Sequence, residues 1–152
     1  MERRTSRWGW MAGMVFLMGT VWAQPVREAT VIKVKGEVTV KSAAGEWQPA
    51  KAGVVLRQED QIRTGKGGFA EILLDDGKVG RLELKENSHL RLNTLSESPS
   101  SGDRVTLLDL AVGKVLVHAQ KLRGESKFEV RTPTSTTGVR GTVFEVSVEE
   151  KP

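Results

Sequence analysis

From residue 30 onward, apolar and polar positions alternate in short runs separated by turn residues. Val31-Ile32-Lys33-Val34 and Val38-Thr39-Val40 predict two strands broken at Gly36. Ala43 to Glu46 forms a turn, Trp47 and Pro49 lead into a loop, and Gly53 to Leu56 is a short apolar run. Gln58 to Gly68 is polar and glycine-rich, with Ile62-Arg63-Thr64-Gly65 in its middle. Ala70, Ile72 and Leu74 then alternate with Phe69, Glu71 and Leu73, and Asp75-Asp76-Gly77 is a strong hairpin signal. Leu82 with Leu84, and Leu90 with Leu92, repeat the alternation. Ser96 to Arg104 is the longest loop, and Val105 to Val112 is apolar apart from Thr106 and Asp109, which predicts burial on both faces. Gly113 breaks that run before Val115 and Val117 continue it. Two further alternating segments close the pattern: Phe128, Val130 and Thr132, then Thr142, Phe144, Val146 and Val148. Between them lie Pro133, a Ser/Thr run and Gly138-Val139-Arg140-Gly141, where the glycines permit positive φ or close backbone approach.

No stretch of residues 24–152 sustains the i, i+3, i+4, i+7 spacing of an amphipathic helix; residues 107–112 pass as one helical turn at most. The chain is therefore predicted to be all-β, with roughly ten to twelve short strands at the spacing of a sandwich, barrel or solenoid. A glycine followed by a short apolar strand recurs at Gly53, Gly80, Gly113 and Gly141. The interval is about thirty residues, near that of solenoid coils but irregular.

The first residues follow a different pattern. Arg3, Arg4 and Arg7 precede an uncharged apolar run over residues 8–22, and Val21-Trp22-Ala23 offers small residues where a signal peptidase reads. The run is shorter than the ~20 residues of a usual membrane span. The expectation is an export signal over residues 1–23, a polar lead over 24–29 and one domain over 30–150. An uncleaved anchor is the rival reading and the one route to a membrane association, and neither reading includes a cytoplasmic domain.

Composition removes several functional classes. The 152 residues contain no cysteine, so there is no disulfide framework, thiolate metal site or cysteine nucleophile. The net charge is +4, and half of that excess lies in residues 1–23, where three arginines face Glu2 alone. The remainder is too small for a nucleic-acid stripe, so no nucleic-acid partner is expected. After residue 23 the aromatics are Trp47, Phe69, Phe128 and Phe144, a poor stock for stacking platforms. His89 and His118 have no partner at metal-ligand spacing, and Gly65-Lys66-Gly67-Gly68 lacks the spacing of a phosphate loop. No G-x-S-x-G or other nucleophile motif is present. Neither an enzyme nor a cofactor is expected.

By its second half the chain resembles the FecR domain, the extracytoplasmic module named for the iron-dicitrate-sensing regulator of Gram-negative bacteria. The resemblance rests on Gly36-Glu-Val with Trp47, Gly53 with Leu56, Ile62-Arg63-Thr64-Gly65, and Ala70 to Leu74 with Asp76-Gly77. It continues through Ser88-His-Leu-Arg-Leu, Gly113-Lys-Val and Phe128-Glu-Val-Arg-Thr-Pro-Thr. The signature is clearest at Thr132, Pro133, Gly138, Val139, Arg140, Gly141, Thr142 and Phe144. It implies a twisted, short-stranded β-solenoid, with a β-sandwich as the alternative from strand spacing. It also implies a location in the periplasm or cell envelope of a Gram-negative-type bacterium. In the founding type the domain relays the state of an outer-membrane transporter to a cytoplasmic sigma factor, through a membrane helix and an anti-sigma segment. Neither segment is legible in this sequence. The expectation is accordingly a stand-alone binding or scaffolding module whose partner is another envelope protein, with envelope polysaccharide or peptidoglycan as the second partner class.

Three residues are candidate contacts. Arg140, between two glycines, offers a fork-shaped donor to carboxylates or carbonyls; the competing reading has it fold back and pin strand carbonyls or an acid. Arg63 carries the same two readings. Trp47 is the one plausible stacking residue for a sugar ring. The Thr134 to Thr137 run could cradle an anion with backbone donors, or form a turn whose hydroxyls satisfy its own backbone.

Overall fold

The computed structural model describes residues 19–20 and 26–150. Apart from Gly19 and Thr20, the expected export segment therefore lies outside the described residues. The fold is all-β, as the alternation predicts. Twelve strands follow in order: β1 (Ala29–Lys35), β2 (Val38–Lys41), β3 (Gln48–Pro49), β4 (Val55–Leu56), β5 (Gln61–Thr64) and β6 (Phe69–Leu74), then β7 (Gly80–Leu84), β8 (His89–Glu97), β9 (Arg104–Ala119), β10 (Lys127–Arg131), β11 (Thr136–Val139) and β12 (Val143–Val148).

The chain is built in bent layers, each giving one strand to each of two sheets. One sheet runs β4-β1-β6-β7-β9-β12 and the other β3-β2-β5-β8-β9-β10-β11. We call these the first and second sheets. β9 belongs to both: its first half pairs with β8 and β10, its second with β7 and β12. Adjacent strands run antiparallel except β9 and β10. The short strands thus stack coil upon coil, with successive coils reversing direction.

Each layer turns from one sheet to the other at a corner, and the corners stack. Gly65 N–H donates to the Glu37 carbonyl (2.9 Å), Asn87 N–H to the Gly65 carbonyl (3.1 Å), and Lys85 N–H to the Lys114 carbonyl (2.9 Å). Thr64 Oγ1 and Ser88 Oγ, both buried, bind the neighbouring corners: Thr64 Oγ1 donates to the Lys85 carbonyl (2.6 Å), and Lys114 N–H donates to Ser88 Oγ (2.9 Å). Gly113 is the corner of β9 itself, at φ 95°, and a Cβ there would collide with Ser88. Gly113 therefore bends the strand rather than ending it.

Between the sheets lies one apolar core, including Val31, Ile62, Ile72, Leu82, Leu90, Leu108, Val115 and Phe128. Burying each such side chain contributes about 1.5–3 kcal/mol. Arg27 closes the side of the core opposite the corners. It is 4% exposed and lies in the segment read as a polar lead. Its Nε and Nη2 donate to Asp75 Oδ2 (2.9 and 2.7 Å), its Nη1 to the Ser96 and Val105 carbonyls (3.1 and 2.9 Å), and its Nη2 also to Thr106 Oγ1 (2.8 Å). One guanidinium thus joins the β6–β7 turn of the first sheet to β8 and β9 of the second.

At four places the structure corrects or extends the local reading. Ile62 to Thr64 lies in a strand, because Ile62 and Thr64 fill the core while Gln61 and Arg63 point away from it. Residues 105–112 are buried mainly on one face, through Thr106, Leu108 and Leu110, with Val105 and Ala111 exposed; they form strand and no helical turn. The recurring glycines are not equivalent: Gly113 is a corner, Gly80 opens β7, and Gly53 and Gly141 lie in turns. Finally, the two terminal alternating segments do not pair with each other. β10 pairs with β11, formed by Thr136–Val139, and β12 crosses to the first sheet beside β9.

Candidate functional site

The strand register brings two of the three candidate contacts together on the outer face of the second sheet. Arg63 on β5 lies between Thr39 on β2 and His89 on β8. The β2–β3 turn carries Trp47 back over this row, so that the Arg63 guanidinium carbon stands 4.0 Å from the centre of the indole ring. The His89 ring meets Trp47 edge-on, with centroids 5.6 Å apart and planes at 71°. His89 Nε2 lies 2.7 Å from Gln61 Oε1, the neighbouring outward residue of β5. Burial lowers the His89 pKa below its ordinary value, and the charge of Arg63 lowers it further, so the imidazole is neutral at pH 7.

Two other arginines of this face are paired with acids. Arg91 pairs with Glu59, and Arg131 lies against Asp109 at 2.8 and 3.1 Å. The hydrogen bond from Arg131 to Asp109, and the Asp109 charge, raise the Arg131 pKa. Arg63 has no carboxylate within ion-pair distance and no hydrogen bond among the described residues. Its stacking on Trp47 orients the plane and leaves the N–H edges free.

On the first sheet's outer face Arg81 and Lys85 are ion-paired, while Lys33 lies over the Phe69 ring. Arg81 reaches Glu71 (3.3 Å) and Glu83 (3.6 Å), and Lys85 reaches Glu83 (3.3 Å). Burial pushes the Glu83 carboxyl up, but the hydrogen bond from Lys85 and the charges of Lys85, His118 and Arg81 outweigh it, and the net shift is downward.

Arg140 stands apart. It lies in the turn from β11 to β12, exposed, with no hydrogen bond or ion pair among the described residues. The pinning role foreseen for it is therefore not what the structure shows. Arg63 likewise does not pin carbonyls or an acid. The backbone devices around Arg140 divide: Gly141 has φ 57° and packs against Lys121, whereas Gly138 sits in β11 with open space where a Cβ would stand and no positive φ. Val139 fills the core and Phe144 packs against it. The Thr142 carbonyl accepts from Ala119 N–H (3.1 Å). Thr132 closes the β10–β11 hairpin: its N–H donates to the Ser135 carbonyl (2.8 Å), and Ser135 N–H donates to Thr132 Oγ1 (3.0 Å). Those hydroxyls serve their own turn, in which Pro133 is exposed.

Sequence reading missed His89 and Gln61 as neighbours of Trp47 and Arg63. Alternation places Gln61, Arg63 and His89 outward, but only the register of β2, β5 and β8 sets them side by side. Among the described residues no group of three His, Asp or Glu side chains could hold a metal ion, and no helix is long and apolar enough to cross a membrane.

The layered, all-β architecture with its stacked corners defines a small β-module. A family model described as FecR protein matches residues 60–152, more than half of the chain, and the chain belongs to the FecR family. Arg63 and the whole Thr132–Phe144 signature lie inside the match, while Trp47 precedes it. Neither the curated proteins nor the solved structures gave a match.

Proposed function

We propose that this protein is a non-catalytic, exported binding or scaffolding module of the cell envelope, acting in a signalling context, and that it docks another protein on the outer face of the second sheet. The observation that carries the reading is Arg63, spread over Trp47 at 4.0 Å and lacking an acid of its own. On the same face Arg91 and Arg131 are neutralised by Glu59 and Asp109. A pre-oriented guanidinium suits a carboxylate on a partner, because the fork geometry is set before binding. Membership of the FecR family supports the envelope setting, and the Arg-rich, then apolar, N-terminus supports export. Polysaccharide binding is less favoured, since Arg63 covers one indole face and His89 meets the ring from the side.

Affinity capture from envelope extracts tests the reading. The native protein is expected to retain a defined protein that Arg63→Ala and Trp47→Ala each lose. Retention of polysaccharide instead, or capture that is indifferent to Arg63, would refute it.

A further inference from the structure

A second site lies on the side of the molecule where Arg27 closes the core. A cleft of about 930 Å³ opens between the Gly77–Val79 turn, the β8–β9 hairpin loop and the connection from β9 to β10 over residues 120–126. Its walls are tied together. Gln120 N–H donates to the Val79 carbonyl (2.9 Å), Arg104 N–H to Ser126 Oγ (2.9 Å), and Glu125 N–H to Asp103 Oδ1 (3.1 Å). The cleft is therefore formed before any ligand arrives.

Its charges are unequally satisfied. Both lining acids are engaged: Glu97 takes Arg104 at 3.1 Å, and Asp103 accepts from Ser101 Oγ (2.7 Å) as well as from Glu125 N–H. Lys78, Lys121 and Arg123 also line the cleft, and none has a carboxylate within ion-pair distance or a side-chain hydrogen bond among the described residues. They come from two separate segments, so their convergence is a product of the fold. Unpaired cations in a concave, polar wall concentrate positive potential where field lines are focused. The signature turn touches the same wall, since a Cβ at Gly141 would lie 3.2 Å from Lys121 Cα.

We propose that this cleft binds a small, multiply charged anion bearing phosphate or carboxylate groups, with Lys78, Lys121 and Arg123 as its contacts. The site is distinct from the Arg63 face, and ligand and protein partner are held independently.

Titration calorimetry on the full chain at low ionic strength, with tripolyphosphate and with a tri-glutamate peptide, tests it. At least one probe is expected to bind at one per chain, and the probe that binds identifies phosphate or carboxylate as the recognised group. The variant Lys78→Gln/Lys121→Gln/Arg123→Gln is expected to bind about tenfold more weakly, as three solvent-facing ion contacts are lost. Lys51→Gln/Lys66→Gln, which removes cations outside the cleft, and Arg63→Ala are expected to bind as the native protein does. The substituted side chains are peripheral, so melting temperature checks that each variant is folded. Binding of neither probe, native-like binding by the triple variant, or equal weakening by the remote double variant would overturn the proposal.

Discussion

Arg27 offers the sharpest test of how the two sheets are held together. Replacing it with alanine removes a guanidinium that is 4% exposed and joins Asp75, two carbonyls and the Thr106 hydroxyl. The partners stay behind, with the Asp75 side chain only 12% exposed. Removing one member of a buried pair costs about 3–5 kcal/mol, because the remaining charge and carbonyls lose their donors without regaining water. For a domain of this size, that loss lowers Tm on the order of 10–20 °C. Urea unfolding of native, Arg27→Met, Asp75→Asn and the double variant forms a complete cycle. The double variant is expected to be less destabilised than the sum of the singles, since the neutral amide put in place of the Asp75 carboxylate leaves no unpaired charge buried. A loss below about 1 kcal/mol in Arg27→Ala, with unchanged m-value, would show that water replaces the guanidinium and that the plug is not structural.

Arg140→Ala is expected to leave urea stability within about 0.5 kcal/mol of native, because the side chain is exposed and unpaired among the described residues; a larger loss would restore the pinning role. Gly113→Ala, at φ 95° and against Ser88, is expected to lose more than about 2 kcal/mol in the same assay. His89 has a folded pKa below its unfolded value, so the unfolded state takes up a proton first as pH falls. Its contribution to stability is full above about pH 6.5 and declines below it, until the folded pKa is passed. Urea midpoints between pH 8 and pH 5 should therefore fall less steeply in His89→Gln than in the native protein.

Much of this fold is legible in the sequence because alternation is local. The strands around Leu82, Leu90 and Phe128 follow from period two alone, and the Asp75-Asp76-Gly77 turn from its residue types. What alternation does not carry is which strand lies beside which. β12 leaves β10 for the other sheet, and a Ser/Thr run that looks like loop becomes β11, because pairing depends on long-range register. Gly113 looks like a stop because a glycine interrupts an apolar run, whereas the corner it makes depends on Ser88, a distant residue. Arg27 escapes notice for a related reason: a polar lead next to an export signal gives no sign that its guanidinium will be buried. At the site, Trp47 and Arg63 stand out by their chemistry alone, and the fold brings them together. Arg140 differs because its side chain meets neither carbonyl nor acid among the described residues.

Thr39 lies directly beside Arg63 in register on the outer face of the second sheet, which makes it the place to ask whether that face is a docking surface. A photo-crosslinking residue at position 39, activated in living cells, should form an adduct of defined mass with one envelope protein, and Arg63→Ala in the same chain should abolish it. No adduct, or an adduct of undiminished yield without Arg63, would contradict the account.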